Sequence, residues 1–276
     1  MEAKRILFIT SEISPYLPES EMSEIGRNLP QGIQDKGKEI RTFMPRFGNV
    51  NERRNQLHEV IRLSGMNLII NDTDHPLIIK VASIQSARMQ IYFIDNEDFF
   101  QRKYTVADAE GNEFEDNDER CIFYARGVME TVKKLRWVPD LIHCHGWMTA
   151  LAPLYIKQHY KDDPCFKNSK VVYSIYNDEF KSPLRPSFLE KLKIDGILDE
   201  HIKGLEGSAD FAALSALAID YSDGIIQGSE TINSKVLEYA QKHSDAAFLP
   251  FQGKETFINE FNAFYDQILG PKNLPQ

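Results

Sequence analysis

The sequence predicts an α/β protein built on a doubly wound, mostly parallel sheet. Three observations carry this. Short apolar runs of strand length alternate with segments of helical period. The connections between them are helices rather than hairpin turns, which parallel strands require. Only one stretch, about residues 58–94, switches to a period of two, and it reads as a small antiparallel excursion.

The elements follow in order. Arg5 to Thr10 is the first strand, and Ser11 to Pro18 a loop. Glu21 to Asp35 reads as a helix, with Met22, Ile25, Leu29 and Ile33 on one face. Gly37 stands at its C-terminal cap, and Pro30 lies inside it and should kink it or leave a carbonyl unpaired. Ile40 to Met44 is the next strand. His58 to Leu63, Asn67 to Ile70, Leu77 to Ser83 and Met89 to Ile94 read as short strands, with Asn71-Asp72-Thr73-Asp74 as a turn. A helix is expected from Asp118 to Leu135, with Cys121, Ala125, Val128, Val132 and Leu135 on its buried stripe. Leu141 to Cys144, Val171 to Ile175 and Gly224 to Gln227 are strands. Met148 to Tyr160, Pro186 to Leu192, Asp210 to Asp220, Glu230 to Lys242 and Thr256 to Leu269 are expected helices.

Composition narrows the function. The 276 residues carry 32 Lys plus Arg against 41 Asp plus Glu, a net charge of −9. That balance disfavours a nucleic-acid or anionic-membrane surface. No apolar run approaches the ~20 residues of a membrane helix. The apolar stretch after the N-terminus, Ile6 to Ile9, is too short for a signal peptide. Three cysteines, Cys121, Cys144 and Cys165, give no disulfide framework and fit a reducing, cytoplasmic setting. No glycine-rich dinucleotide or P-loop motif occurs. A nicotinamide-binding enzyme is disfavoured because Ser11-Glu12-Ile13-Ser14-Pro15, after the first strand, offers no glycine to a pyrophosphate. No nucleophile elbow supports a hydrolase triad.

Ligands of such sheets bind at the carboxyl ends of the strands. The loops there are Ser11 to Ser20, Pro45 to Gly48, His145 to Trp147 and Tyr176 to Pro183. His143 and His145 share a strand face. A metal site has no supporting ligand nearby, and the plainer expectation is one buried histidine and one facing a cleft. Cys144 points the other way, into core. Asp116 or Asn117 is expected to cap the following helix, with Arg120 in a surface ion pair. The acidic run Glu113 to Glu119 reads as a solvated loop that favours the helix start.

Together these loops resemble the N-terminal lobe of the glycogen and starch synthase family. The resemblance begins at Ser11-Glu12-x-x-Pro15-Tyr16 and continues through Leu29-Pro30 and Gly37-x-x-x-Arg41-x-x-x-Pro45-Arg46-Phe47-Gly48. Tyr92 to Asn96, Phe100-x-Arg102-x-Tyr104 and Asp116-Asn117-x-x-Arg120 follow in family order. The strongest block is Pro139-Asp140-Leu141-Ile142-His143-Cys144-His145-x-Trp147-x-Thr149-Ala150-Leu151-x-Pro153. Ile175-x-Asn177 and Tyr221-x-Asp223 extend it to about residue 230.

The resemblance implies a Rossmann-like lobe of a GT-B glycosyltransferase without a catalytic metal or other cofactor. The implied reaction is retaining transfer of glucose from ADP-glucose to an α-1,4-glucan. It implies a sugar contact by His145 and substrate contacts by Ser11, Glu12, Asp116, Asn117, Trp147 and Asn177.

The pattern breaks in informative places. The family's Lys-x-Gly-Gly-Leu loop aligns with Pro18-Glu19-Ser20-Glu21-Met22, so its lysine and both glycines are replaced. Gly146-Trp147-Met148 stands for Asp-Trp-His, Tyr176 for a histidine and Ala216 for a lysine. The whole of 1–276 is expected to form one such lobe, with no second GT-B lobe. Two expectations follow. One is a synthase working alone, or with a second chain or self-association over the cleft that supplies the other lobe. The other is a non-catalytic glucan-binding or regulatory protein. With the cleft uncovered, Trp147, Tyr176 and Phe47 are expected to face solvent or a partner, unless Trp147 packs under its own helix.

Overall fold

The computed structural model describes residues 3–270; Met1, Glu2 and the tail from Pro271 lie outside the described residues. In chain order the strands are β1 Arg5–Ile9, β2 Glu39–Pro45, β3 His58–Glu59, β4 Met66–Ile70, β5 Thr73–Ile84, β6 Met89–Asp95, β7 Leu141–His145, β8 Lys170–Ile175, β9 Gly224–Gln227 and β10 Ala247–Leu249. The α-helices are α1 Glu21–Asp35, α2 Glu97–Phe100, α3 Asn117–Leu135, α4 Leu151–Leu154, α5 Phe188–Ile194, α6 Asp199–Ile202, α7 Phe211–Asp220, α8 Ser234–Lys242 and α9 Phe257–Leu269.

Among the described residues they build one sheet in the order β10-β9-β8-β7-β1-β2-β6-β5-β3, with β4 paired to β5. From β10 to β6 every pairing is parallel. β5 runs antiparallel to β3, β4 and β6. The strands β1, β7 and β8 are buried along almost their whole length, as strands covered on both faces must be. The expected α/β sheet and its antiparallel excursion are both present.

The two faces can be assigned from β7. His143 packs against Phe261 and Tyr265 of α9 on one face. α9 also lies against α1, where Gly32 leaves room for Ile258. On the other face Gly127 of α3 meets Ile94 and Leu77, and α7 packs on α4. No described helix is long and apolar enough to cross a membrane.

α1 has the expected bounds and runs through Pro30, which is buried. Ser20 and Ser23 form a reciprocal capping box: Ser20 Oγ accepts from the Ser23 amide at 3.0 Å, and Ser23 Oγ from the Ser20 amide at 2.8 Å. Ser20→Ala is expected to cost about 1 kcal/mol. Urea denaturation checks it: an unchanged midpoint would mean that the box adds nothing.

Several boundaries differ from expectation for local reasons. β3 ends at Glu59, because the chain turns at Val60 and leaves Ile61 82% exposed. The β4–β5 hairpin turns on Asn71 and Asp72 alone, both at positive φ (49° and 61°), so β5 already begins at Thr73. The helix expected from Met148 to Tyr160 is broken into a 3₁₀ turn at Trp147–Thr149, then α4, then a π turn at Tyr155–His159. α8 starts at Ser234 rather than Glu230, because Asn233 caps it through the Lys235 and Val236 amides. α5 starts two residues late, at Phe188. α2, α6 and β10 carried no periodicity long enough to read.

Candidate functional site

The carboxyl ends of β1, β2, β7 and β8 surround a cleft of about 290 Å³. Ser11 and Glu12 come from the loop after β1, and Phe47 from the loop after β2. Trp147 and Met148 follow β7, and Asn177, Asp178 and Glu179 follow β8. Thr105 and Val106 close it from the segment between α2 and α3. Four of the expected site residues, Ser11, Glu12, Trp147 and Asn177, thus meet in one place.

The other three do not line it. His145 is 1% exposed and does not face an open cleft, which corrects the expectation of one buried and one cleft histidine. Its Nδ1 hydrogen-bonds with Tyr176 Oη at 2.9 Å. Its ring lies 3.8 Å, centroid to centroid, from that of His143. His143 in turn bonds with Ser174 Oγ at 2.7 Å and with Tyr265 Oη at 2.5 Å. Burial pushes the His145 pKa down to about 3 and holds His143 well below the usual histidine value. Both rings are therefore neutral at physiological pH. Cys144 points the other way and is buried, as alternation requires.

Asp116 does not cap α3 with its side chain; it takes both terminal nitrogens of Arg102. Burial alone would raise its pKa, but Arg102 holds the carboxyl below its ordinary value. Asn117 is buried, donating from Nδ2 to the Val106 carbonyl at 2.9 Å. Arg120 was expected in a surface pair and is instead fully buried. Its Nε donates to the Phe99 carbonyl (2.7 Å), Nη1 to Asn117 Oδ1 (2.7 Å) and Nη2 to the Thr105 carbonyl (2.6 Å). Its guanidinium also lies near the rings of Phe47, Phe100 and Phe114. Asn117 and Arg120 therefore hold the Thr105–Val106 wall from behind, and none of Arg102, Asp116, Asn117 and Arg120 is among the residues that line the cleft. Burial lowers the Arg120 pKa to about 10, so it keeps its charge at neutral pH.

Trp147, Tyr176 and Phe47 are all buried, contrary to the expectation of solvent-facing aromatics. Trp147 packs edge-on against Phe180, with ring centroids 4.9 Å apart. Phe47 is closed over by Phe100 and Arg120.

A matching family model fixes the relationship. The model for the starch synthase catalytic domain matches residues 5–249. The chain belongs to the starch synthase catalytic domain family. It is 33% identical over 235 residues to a glycogen synthase of Chlorobium luteolum, which covers 84% of this chain and 47% of that one. It is 33% identical over 220 residues to a glycogen synthase of Chlorobaculum parvum, covering 79% and 44%. The chain thus spans about half the length of the curated relatives it matches. Among solved structures it is similar to the catalytic domain of starch synthase IV from Arabidopsis thaliana bound to ADP and acarbose. The TM-score is 0.74 at 16% identity, over 93% of this chain and 53% of that one, so this likeness speaks for the fold alone.

The loop that departs from the family pattern can now be placed. Pro18, Glu19 and Ser20 lead into α1, and Glu21 and Met22 form its first turn. Ser20 Oγ donates to Glu12 Oε2, and Ser229 Oγ donates to Glu21 Oε2. Ser229 Oγ also accepts from the Asn177 amide at 3.1 Å. Met22 is buried, with its Sδ 3.2 Å from Ser11 Oγ. The segment is thus a capped helix start, tied to the loops after β1 and β9 by carboxylate–hydroxyl bonds.

Asp178 stands in the stretch Tyr176 to Glu179, which offers polar groups to the cleft, but the sequence singled out no role for it. Its Oδ2 accepts from the Trp147 amide at 3.0 Å. Gly146, at φ 74°, lies so close beneath that a Cβ would overlap Asp178 Oδ2 and Met22 Cε. Three carboxylates, Glu12, Asp178 and Glu179, line the cleft, and no Lys or Arg is among its lining residues.

Proposed function

We propose that this lobe binds a neutral α-glucan segment in the cleft and does not by itself transfer glucose from a nucleotide sugar. The observation that carries this is the charge of the lining, three carboxylates and no cation. A diphosphate needs cationic donors, both to bind and to leave as charge develops. A sugar needs what the cleft offers: carboxylate, amide and hydroxyl groups beside an aromatic ring. The volume of about 290 Å³ lies at the foot of the ~300–1,000 Å³ range of ligand pockets, and suits a short glycan segment better than a whole nucleotide sugar. The starch synthase IV structure carries both ADP and acarbose; we carry over only the saccharide.

Family membership supports a second reading: a synthase completed by another chain, or by a second copy, that supplies cations over the cleft. We place either form in a reducing, cytoplasmic setting, in keeping with three free cysteines of which Cys121 and Cys144 are buried.

Calorimetry with maltoheptaose and ADP-glucose, alongside a glycogen-incorporation assay, tests the proposal. Maltoheptaose is expected to bind and ADP-glucose not to. Asn177→Ala is expected to weaken maltoheptaose about fivefold, the worth of one hydrogen bond of ~1 kcal/mol. Incorporation is expected to be no greater than that of His145→Ala. Glucose transfer that vanishes in His145→Ala would overturn the non-catalytic reading and favour the second.

A further inference from the structure

One polar atom in the cleft wall stands out. Asp178 Oδ1 is buried and has no hydrogen-bond partner among the described residues, while Oδ2 is held by the Trp147 amide. An unpaired buried carboxylate oxygen costs free energy, and natural structures seldom leave one without a use. Asp178 is held by the Trp147 amide and sits close over Gly146, where even a methyl group would collide with Oδ2. It belongs to none of the motifs that carry the family resemblance.

We propose that Asp178 is the specificity-determining residue of the cleft, its free Oδ1 taking a hydroxyl of a neutral glycan and turning away anions. This deepens the glucan-binding reading and rests on it. Two features support it. Glu12 lines the same cleft and its charge is felt at this carboxyl, so a phosphate there would meet acidic groups with no counter-cation in the lining. A sugar hydroxyl, by contrast, both donates and accepts, and it satisfies Oδ1 whether Asp178 is charged or neutral.

The acid–base behaviour of the group follows from its surroundings. Burial pushes the Asp178 carboxyl up to about 7; the Trp147 amide and Asp178's own backbone amide oppose the rise, and Glu12 adds to it. The other titratable groups felt there are Tyr173 and Tyr176, whose burial keeps both phenols protonated. A hydroxyl that donates to the carboxylate stabilises the charged form and lowers that pKa on binding. Glycan binding then releases a proton, and affinity rises as pH increases through 7.

The test is calorimetry of the full chain with maltoheptaose at pH 6 and pH 8, for the native protein, Asp178→Asn and Asp178→Ala. Far-UV circular dichroism confirms that each is folded. The native chain is expected to bind more tightly at pH 8 than at pH 6, by three- to tenfold. Asp178→Asn, an uncharged isostere whose amide oxygen takes the Trp147 N–H and whose amide nitrogen donates to a glycan hydroxyl oxygen, is expected to bind within threefold of the native chain at pH 6 and to lose the pH dependence. Asp178→Ala is expected to bind at least tenfold more weakly at pH 8. Native-like binding by Asp178→Ala, or an unchanged pH dependence in Asp178→Asn, would overturn the role of Asp178 and leave glucan binding standing. No maltoheptaose binding by the folded native chain at either pH would instead overturn the glucan reading itself, and this inference with it.

Discussion

Arg120→Ala is expected to destabilise the chain by about 3–5 kcal/mol, the scale of removing one partner from a buried charged network. The side chain is fully buried and closes three hydrogen bonds. Its removal leaves the carbonyls of Phe99 and Thr105 and the Oδ1 of Asn117 without their donor, and opens a void between Phe47, Phe100 and Phe114. Arg120→Lys is expected to recover only part of the loss, because an ammonium cannot copy the fork that reaches three acceptors at once. Urea denaturation measures both variants. Hydrogen exchange should show the Thr105–Val106 wall opening faster than the β-sheet. A loss below about 1 kcal/mol in Arg120→Ala would refute this account of the wall.

Gly146→Ala is the second large effect, expected at about 2–4 kcal/mol. Its backbone, at φ 74° and ψ 175°, lies in a region open essentially to glycine, which alone costs a side chain ~1–3 kcal/mol. The new methyl would also collide with Asp178 Oδ2 and Met22 Cε. Gly37→Ala is the internal control: its φ is 85°, but nothing lies within 4 Å of the added atom. Only the conformational cost applies there, about 1 kcal/mol. Thermal unfolding should separate the two, and only Gly146→Ala should also weaken glucan binding, because it displaces the Asp178 carboxylate. Equal losses in the two variants would mean that the Gly146–Asp178 contact is not tight.

The parts of the molecule that could be read in advance are those where one physical signal dominates. β1, β7, β8 and β9 were legible because both faces of each are covered and each holds a core of consecutive apolar residues. α1 was legible because its apolar face recurs at spacings of three and four and Gly37 punctuates its end; the Ser20 cap emerged only in the structure. The loops that carry Ser11, Glu12, Trp147 and Asn177 could be grouped because parallel topology sends all three to one end of the sheet, and the family resemblance named the residues on them. Arg120 was misread because its partners lie at residues 99, 105 and 117, and local sequence says nothing about which carbonyls a guanidinium will find. The Thr105–Val106 wall has no periodicity at all; it is held by Asn117 and Arg120 from a neighbouring helix. His145 was expected to reach substrate, but Tyr176, Phe8 and His143 enclose its ring.

The ends of the sheet have a consequence for how copies of this chain can meet. β10 is three residues long and is followed at once by Pro250, while β3 has only two residues. A neighbour trying to extend the sheet at β10 would find only a few unpaired amides and carbonyls, and proline removes one donor beside it. At the other rim β4, five residues long, pairs only with β5 among the described residues, and Arg126 Nη1 already takes its Ile69 carbonyl at 2.6 Å. The β10 rim is thus poorly suited to strand-by-strand polymerisation, the route by which exposed sheets seed aggregates, and at β4 a side chain competes for the edge.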